Sequence, residues 1–115
     1  MTDLVPAGSF CGRLIAACPD SWGAYTRHPF VAGMADGSLP EPAFRHYLAQ
    51  DYLFLIHFAR AYALAAHKAD TLDDMRYAAG TLSALTDTEM KLHVQYCAGW
   101  GMTEAEMAAV PEDPA

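Results

Sequence analysis

The sequence predicts an all-α fold, and three observations support that class. Apolar residues recur at the spacing of helical faces along most of the chain, and no segment shows the strict alternation of a half-buried strand. Residues 43–68 contain neither glycine nor proline, which favours one long uninterrupted helix. The composition, with 53% hydrophobic and 18% charged residues among 115, is that of a globular protein. We therefore expect one helical domain, or part of one, across residues 1–115.

The first 40 residues predict short helical pieces. Ser9 can cap a first helix, and Pro19 suits the first turn of a continuation, so this helix is expected to be kinked or split. The residue before a proline avoids helical angles, which ends the continuation ahead of Pro29. A further short helix then ends at the turn signal Asp36-Gly37.

The first of two long helices is predicted over about Glu41 to about Lys68. Pro40 and Pro42 are tolerated only near a helix start, which places the beginning there. Apolar residues lie on most sides of this helix, so it needs to be covered by other helices. The elements of this chain are too few to enclose it. We expect either association of the chain or a place at the front of a larger bundle.

The second long helix is predicted over about residues 72–98, with a cap at Thr71 and an end at Gly99. The tight connection between the two long helices makes them antiparallel neighbours. A capping box at Thr103 and Glu106 starts a short last helix, and loop-like residues follow it. A carboxylate interrupts the apolar stripe of the second long helix, which consists of Met75, Ala78, Leu82, Leu85, Glu89, Leu92 and Tyr96.

Charge and cysteine content exclude several classes of function. The 14 acidic and 7 basic residues give a net charge of −7, which offers no attraction to nucleic acid or to an anionic membrane. Three cysteines without a C-x-x-C motif fit neither a disulfide framework nor a zinc ribbon. The chain lacks a basic and apolar leader, and it has no apolar run of about 18 residues. We expect a soluble protein of the reducing cytoplasm.

Asp51 stands in a helical stripe that otherwise predicts hydrophobic core. An ionised carboxylate in apolar surroundings is costly unless it is paired or hydrogen-bonded, so Asp51 needs a partner. Two interpretations stay open from the pattern alone: a structural acid satisfied by a tyrosine, a histidine or a neighbouring helix, and a functional acid that binds a ligand. Its neighbours at helical spacing are all apolar or aromatic: Phe44, Tyr47, Leu48, Phe54, Leu55 and Phe58.

Glu89 and His93 form a second candidate pair, four residues apart on one helix face. They could contact a single metal ion or substrate, or they could satisfy each other. Together with Asp51 they resemble half of a di-metal carboxylate site, although the Glu-x-x-His motif of ferritin-like proteins is absent. His57 is too far round the helix to join Asp51 and is expected to be partly buried, whereas His46 is expected at the surface.

The aromatic residues of the first long helix are expected to be mostly core. A stacking wall for a flat ligand is the less common alternative. No Ser-His-Asp order, phosphate-binding glycine loop or H-E-x-x-H motif accompanies them. The aromatic set comprises Tyr47, Tyr52, Phe54, Phe58 and Tyr62.

Three segments carry a specific resemblance to a known family. The stretches HPFVAGMADGSLP and FRHYLAQDYLFL are similar to the HPFV-x-G-x-x-D-G-x-L-P and F-x-x-Y-L-x-Q-D-x-x-x-L segments of the TenA family, which includes thiaminase II. The later TDTEMKLH resembles the T-x-x-E-M-x-L-H stretch of that family. The resemblance runs from about Trp22 to the end of the chain. It implies the front half of a haem-oxygenase-like up-down helical bundle of about twice this length, with the rear half missing.

The resemblance implies a hydrolase of thiamin salvage. Family members convert an aminomethyl pyrimidine, formed from degraded thiamin, to its hydroxymethyl form, and some cleave thiamin itself, with no metal or organic cofactor implied. The family aspartate that binds the aminopyrimidine corresponds to Asp51, and Phe54 matches a position that lines the ring. We expect Tyr47 to shape the same slot, with Glu89 and His93 as candidates for a supporting role. The family also implies a homo-oligomer, namely a tetramer.

The resemblance places the reacting groups outside these 115 residues. The nucleophilic cysteine and the acidic glutamate of the family lie in its rear half, so we expect no catalytic residue in this chain and no activity from it alone. Cys11, Cys18 and Cys97 stand in the wrong context to replace that nucleophile. Two alternatives stay open: a haem-oxygenase-like di-metal oxidase that uses Glu89 and His93, and a non-catalytic helical ligand-binding module.

Overall fold

The computed structural model describes residues 4–114, which contain helices and no strand. The all-α class predicted from the sequence is confirmed. The chain divides into two compact units, Met1–Pro40 and Glu41–Ala115. The single-domain organisation across residues 1–115 stays a prediction. Within residues 4–114, no helix has both the length and the hydropathy needed to cross a membrane.

Among residues 4–40, the first unit contains the short α-helices α1 (Phe10–Ala17), α2 (Pro19–Thr26) and α3 (Pro29–Asp36). The predicted split of the first helix is confirmed, because α2 begins at Pro19 directly after α1. Ser9 caps α1 as predicted, and its hydroxyl accepts a hydrogen bond from the main-chain N–H of Gly12 at 3.1 Å. Gly37 ends α3 with a left-handed backbone (φ 79°), a conformation that glycine adopts at little cost.

Among residues 41–114, the second unit contains α4 (Glu41–Lys68), α5 (Leu72–Ser83), the π-helical segment Ala84–Glu89, α6 (Met90–Ala98) and α7 (Glu104–Ala108). Both predicted caps are confirmed. The Thr71 hydroxyl accepts from the main-chain N–H of Asp74 at 3.1 Å. At the start of α7, Thr103 and Glu106 exchange side-chain to main-chain hydrogen bonds of 2.9 and 3.2 Å, which is a complete capping box.

The core of the second unit lies between α4 and the α5–α6 pair. Leu55 of α4 clusters with Leu85, whereas Leu53, earlier on α4, clusters with Cys97, later in the chain. The chain directions are therefore opposite, and the predicted antiparallel arrangement is confirmed. Met107 of α7 has no exposed surface and belongs to the cluster that contains Leu53 and Cys97.

Tyr52 connects α4 to α7 through its polar tip. The ring is buried, and its hydroxyl donates a hydrogen bond to the Glu104 carboxylate at 3.2 Å. Burial raises the pKa of Tyr52, and the hydrogen bond to the Glu104 carboxylate adds to the rise. A buried tyrosine needs such a partner for its hydroxyl, so this bond sets where α7 lies against α4.

A π-helical turn interrupts the second long helix, which corrects the prediction of one α-helix over residues 72–98. The main-chain N–H of Met90 donates to the carbonyl of Leu85, five residues back, which is the hydrogen bond of a π-helix. The Thr86 hydroxyl donates to the carbonyl of Leu82 at 3.0 Å, so a side chain competes with the main chain for this acceptor. The face that α6 presents to α4 is therefore shifted by one residue.

The predicted position of Glu89 in the apolar stripe is wrong for this reason. Glu89 is exposed, and so are the two later members of that stripe, Leu92 at 54% and Tyr96 at 56%. A spacing rule for an uninterrupted α-helix cannot anticipate an extra residue in one turn. The covered positions take a step of five across the π-helical segment, from Leu85 to Met90. They include Ala78, Leu82, Leu85, Met90, His93 and Cys97, with Thr81 and Val94 covered beside them.

The segment after α7 lies along α4, although residues 111–114 have no regular secondary structure, as predicted. The Gln50 side-chain amide donates to the Pro111 carbonyl at 2.9 Å. The amide oxygen of the same side chain accepts from the main-chain N–H of Asp113 at 2.9 Å. One side chain of α4 therefore contacts this short tail at two residues.

Two histidines of α4 pair with carboxylates of the same tail. His46 is exposed, as predicted, and its Nε2 lies 2.6 Å from Asp113. His57 was predicted to be partly buried, and this is wrong: its side chain is 54% exposed and its Nε2 lies 2.7 Å from Glu112. The reason is that His57 shares a face of α4 with His46, and that face meets the tail and solvent instead of α5 or α6.

Candidate functional site

Asp51 lies on α4 and pairs with a histidine of α6. Its Oδ2 is 2.7 Å from Nε2 of His93, and the two side chains are 21% and 11% exposed, respectively. A carboxylate this far removed from water needs such a charged or polar partner. The sequence pattern predicts that Asp51 needs a partner, and in the structure that partner is His93.

His93 is held at both ring nitrogens. Its Nδ1 lies 2.9 Å from the main-chain carbonyl oxygen of Glu89. A carbonyl oxygen can only accept, so Nδ1 carries a hydrogen. The short contact between Nε2 and Asp51 requires one more proton, which is carried by either group. The pair is then an imidazolium with a carboxylate, or a neutral imidazole with a carboxylic acid. In both cases the imidazole ring is fixed between α4 and its own helix.

The second carboxylate oxygen of Asp51 is available to a ligand. The hydrogen bond from His93 goes to Oδ2, and no donor among residues 4–114 reaches Oδ1. In the same described part of the chain, no buried side-chain oxygen lacks a partner, so Oδ1 is open to solvent. Asp51 is thus oriented by one oxygen and can accept a hydrogen bond with the other.

Exposed aromatic rings flank Asp51 on α4. Tyr47, Phe54 and Phe58 are 38%, 55% and 37% exposed, so the prediction that these three belong to the core is wrong. It holds for Tyr52, which is buried, and in part for Tyr62, which is half-buried. The difference arises because α5 and α6 pack against the other side of α4. We call Tyr47, Asp51, Phe54 and Phe58 the aromatic face of α4.

Contacts between rings order this face. Phe54 and Phe58 stack with centroids 5.4 Å apart, and Phe58 meets Tyr62 edge-on at 5.1 Å. Side chains of this kind offer planar surface at low entropic cost to a flat ligand. The aromatic face therefore combines ring surface with an oriented hydrogen-bond acceptor, which suits a planar heterocycle that carries a donor.

One exposed aromatic residue of α6, Tyr96, was not predicted from the sequence as a candidate site residue. Tyr96 is one turn after His93 on α6, is 56% exposed, and contacts Phe44 and Trp100 at centroid distances of 5.9 and 5.2 Å. Its position three residues after His93 is the signal that places both residues on one face of α6. The spacing of an uninterrupted α-helix predicts Tyr96 in the core stripe, and the π-helical turn moves it out of that stripe.

Glu89 does not join the cluster through its carboxylate. It is exposed, and it contributes its main-chain carbonyl to His93. The predicted convergence of Asp51, Glu89 and His93 side chains is therefore not formed. Across residues 4–114, no group of three or more histidine, cysteine, aspartate and glutamate side chains is arranged to hold a metal ion.

Cys97 is buried beside this site but does not face a ligand. It has no exposed surface, and burial raises the pKa of its thiol. Cys11 and Cys18 are exposed on α1 and at the start of α2, and all three thiols are free. A nucleophilic cysteine needs access and a lowered pKa, so Cys97 is unsuited to that role.

These features define a helical protein whose candidate site is a half-buried carboxylate set among exposed aromatic rings. Comparison with known proteins then identifies the group. Residues 16–115 match the TENA/THI-4/PQQC family, and the chain belongs to this family. The resemblance predicted from the HPFV, DGSLP and Q-D motifs is thereby confirmed.

Relatives of known structure or name agree with this assignment. A TenA family transcription regulator from Silicibacter sp. TM1040 shares 43% identity, superposes with a TM-score of 0.87, and is matched over 98% of this chain and 49% of its own. An aminopyrimidine aminohydrolase from Halalkalibacterium halodurans is 37% identical over 89% of this chain and 46% of its own length. An uncharacterized protein of Haemophilus influenzae is 41% identical over 90% and 47%, respectively. The chain spans about half the length of these bacterial relatives.

Proposed function

We propose that the full-length gene product is a TenA-type hydrolase that acts on an aminopyrimidine of thiamin salvage. Family membership and the similarity to named aminopyrimidine aminohydrolases support the class of reaction. The observation that carries the proposal is the open Oδ1 of Asp51 between exposed aromatic rings. A planar ring with an exocyclic amino group matches both features.

Asp51 is the recognition group in this proposal. The exocyclic amino group of the pyrimidine donates a hydrogen bond to Oδ1, while His93 keeps Oδ2 occupied. A half-buried carboxylate that accepts from two donors regains what it lost in hydration, so the bound state compensates the desolvation. The adjacent ring nitrogen lies on the same edge of the pyrimidine, and its contact with the carboxyl group requires one proton shared between the two, because each is otherwise only an acceptor.

Phe54 and Tyr47 form the sides of the slot. They lie three residues after and four residues before Asp51, which places both beside it on one helix face. Ring-on-ring contact with a pyrimidine adds affinity beyond the apolar area that is covered. Because more than a third of each ring is exposed, a ligand can cover them without displacing core side chains.

The described residues recognise the substrate in this proposal and do not perform its bond cleavage. The reaction replaces the side-chain amino group by the oxygen of water and releases ammonia, which requires a nucleophile and an acid. Both are proposed to lie outside this chain, as the family implies. The homo-oligomeric assembly implied by the family stays a prediction.

Ammonia release from the aminomethyl aminopyrimidine tests the proposal. We expect the full-length gene product to turn it over, and Asp51→Asn to reduce kcat/KM by about 100-fold, the order expected when a charge-assisted hydrogen bond is lost. Asp70→Asn, which changes the same charge at an exposed position after α4, is the matched control. Unchanged turnover in Asp51→Asn would remove Asp51 from the site. Tight binding without ammonia release would select the non-catalytic module.

A further inference from the structure

We propose that His93 is a positioning residue for Asp51, and that the π-helical segment Ala84–Glu89 exists to bring His93 to it. The inference rests on the proposed function, because it explains how the recognition carboxylate is oriented. The orientation of Asp51 by His93 is also a property of the ligand-free protein, so it can be measured without a substrate. Three observations support it: the two bonds of the imidazole, the shifted register of α6, and the open Oδ1.

The two hydrogen bonds of the His93 imidazole fix the orientation of the Asp51 carboxylate. The Glu89 carbonyl anchors Nδ1 at 2.9 Å, and Nε2 reaches Asp51 at 2.7 Å. Because the ring is only 11% exposed and bonded at both nitrogens, its direction is set before a ligand arrives. Asp51 can then rotate little about its side-chain bonds without losing Oδ2, and Oδ1 stays directed away from His93. Such preorganisation raises affinity by removing the cost of ordering the group on binding.

The π-helical segment decides which residue faces Asp51. Counting from buried Leu85, an uninterrupted α-helix would direct Glu89 and Leu92 towards α4. The observed step of five directs Met90 and His93 there instead. If residues 84–89 of the unaltered sequence formed an α-helical turn instead, Asp51 would lose its histidine and gain apolar Leu92 and the like charge of Glu89 as neighbours. A carboxylate facing a second carboxylate is destabilised, whereas an N–H donor stabilises it. The π-helical turn therefore places the N–H donor of His93 beside Asp51 and keeps the carboxylate of Glu89 away from it.

A pair of isolated substitutions separates positioning from packing. The glutamine in His93→Gln retains an amide donor at about the place of Nε2, while the leucine in His93→Leu fills a similar volume without any donor. We expect His93→Gln to bind the aminomethyl aminopyrimidine within about threefold of the unaltered protein, and His93→Leu to bind it about tenfold more weakly. Isothermal titration of the full-length gene product gives both dissociation constants, and thermal unfolding shows that each variant is folded.

The outcomes distinguish the roles clearly. A packing role for the ring predicts that His93→Leu binds at least as well as His93→Gln, and this result would overturn the inference. Equal loss in both variants would also overturn it, because the donor would then not be the property that matters. If the leucine variant does not fold, His93→Asn, which is too short to reach Asp51, takes its place in the comparison.

A spectroscopic measurement tests the positioning without a substrate. In ¹H–¹⁵N spectra of the ligand-free full-length protein, we expect His93 to show a hydrogen-bonded Nδ1 proton and an Nε2 signal that moves on Asp51→Asn. An Nε2 signal that Asp51→Asn leaves unchanged would overturn the inference. Failure of the unaltered protein to bind any aminopyrimidine would instead refute the proposed function and leave this result standing, so the two failures are distinguishable.

Discussion

One side of α4 is covered by other helices of the chain, and another side carries exposed aromatic rings. On one side, Leu48, Tyr52 and Leu55 are 6–9% exposed and pack against α5, α6 and α7. On the other side, Phe54 is 55% exposed although its side chain is as apolar as those of the core. Both sides have the helical spacing of a buried face, so hydrophobic pattern alone does not separate a core from a binding surface. The carboxylate of Asp51 marks the difference, since it lies at the border between them.

The buried side owes its order to packing against other helices, and the aromatic face owes its order to contacts among its own rings and to one hydrogen-bonded pair. Ring contacts and the Asp51–His93 pair hold the exposed residues in place. Substitutions on the first side should therefore change stability, and those on the second should change ligand binding.

Deleting one residue from the second long helix should lower the free energy of unfolding by very different amounts on the two sides of His93. Deletion of exposed Gln95 rotates buried Cys97 away from α4, and we expect a loss of about 4 kcal/mol in the free energy of unfolding. Deletion of exposed Thr88 should cost less than about 1.5 kcal/mol, because the π-helical turn becomes α-helical and His93 keeps its direction. Chemical denaturation measures both. Equal losses would show that the π-helical turn does not absorb the extra residue.

Leu53→Ala removes apolar volume from the buried side of α4. Leu53 is 8% exposed and clusters with Cys97 and Met107, so we expect the free energy of unfolding to fall by about 3 kcal/mol. Leu64→Ala, on the same helix and 52% exposed, is the matched control and should change it by less than about 1 kcal/mol. Similar values for both variants would show that the assigned core of α4 is wrong.

Phe54→Ala tests the aromatic face one residue further along. We expect the dissociation constant of the aminomethyl aminopyrimidine to rise roughly fivefold to tenfold, because about 1 kcal/mol of ring contact is lost. The free energy of unfolding should change by less than about 1 kcal/mol, since more than half of the ring is exposed. Leu64→Ala is again the control and should bind normally. A stability loss as large as that of Leu53→Ala would place Phe54 in the core instead.

Thiol labelling gives the smallest effect and the simplest measurement. Burial raises the pKa of Cys97, so less thiolate is present at a given pH, and the side chain has no exposed surface. At mildly alkaline pH we expect Cys11 and Cys18 to react with iodoacetamide first, and Cys97 only after unfolding. Mass spectrometry of the labelled protein counts the modified thiols. Rapid labelling of Cys97 in the folded protein would contradict its place in the core.

Local signals in the sequence predicted most of the fold. Ser9, Thr71 and Thr103 cap their helices as expected, and Gly37 ends one, because each of these effects depends on a few adjacent residues. The long helix α4 has the predicted bounds, Glu41–Lys68. The carboxylate of Asp51 was recognisable as a group in need of a partner. These features follow from short-range chemistry that a single sequence contains.

The remaining features depend on contacts that the sequence does not display. The π-helical turn changes the spacing of one helix by a single residue, and this moved His93 into the position expected for Glu89 and Leu92. The exposure of Phe54 reflects which side of α4 the other helices cover, while periodicity reports only that a side is apolar. His57 was misassigned for the same reason, since the tail that it meets is 55 residues away in the chain.

A crystal structure of the full-length protein with the aminomethyl aminopyrimidine bound would test the recognition role of Asp51 most directly. We predict that the exocyclic amino nitrogen lies about 3 Å from Oδ1 of Asp51, with His93 still on Oδ2 and the pyrimidine ring against Phe54. A pyrimidine bound elsewhere, or one whose amino group contacts neither oxygen of Asp51, would contradict the account.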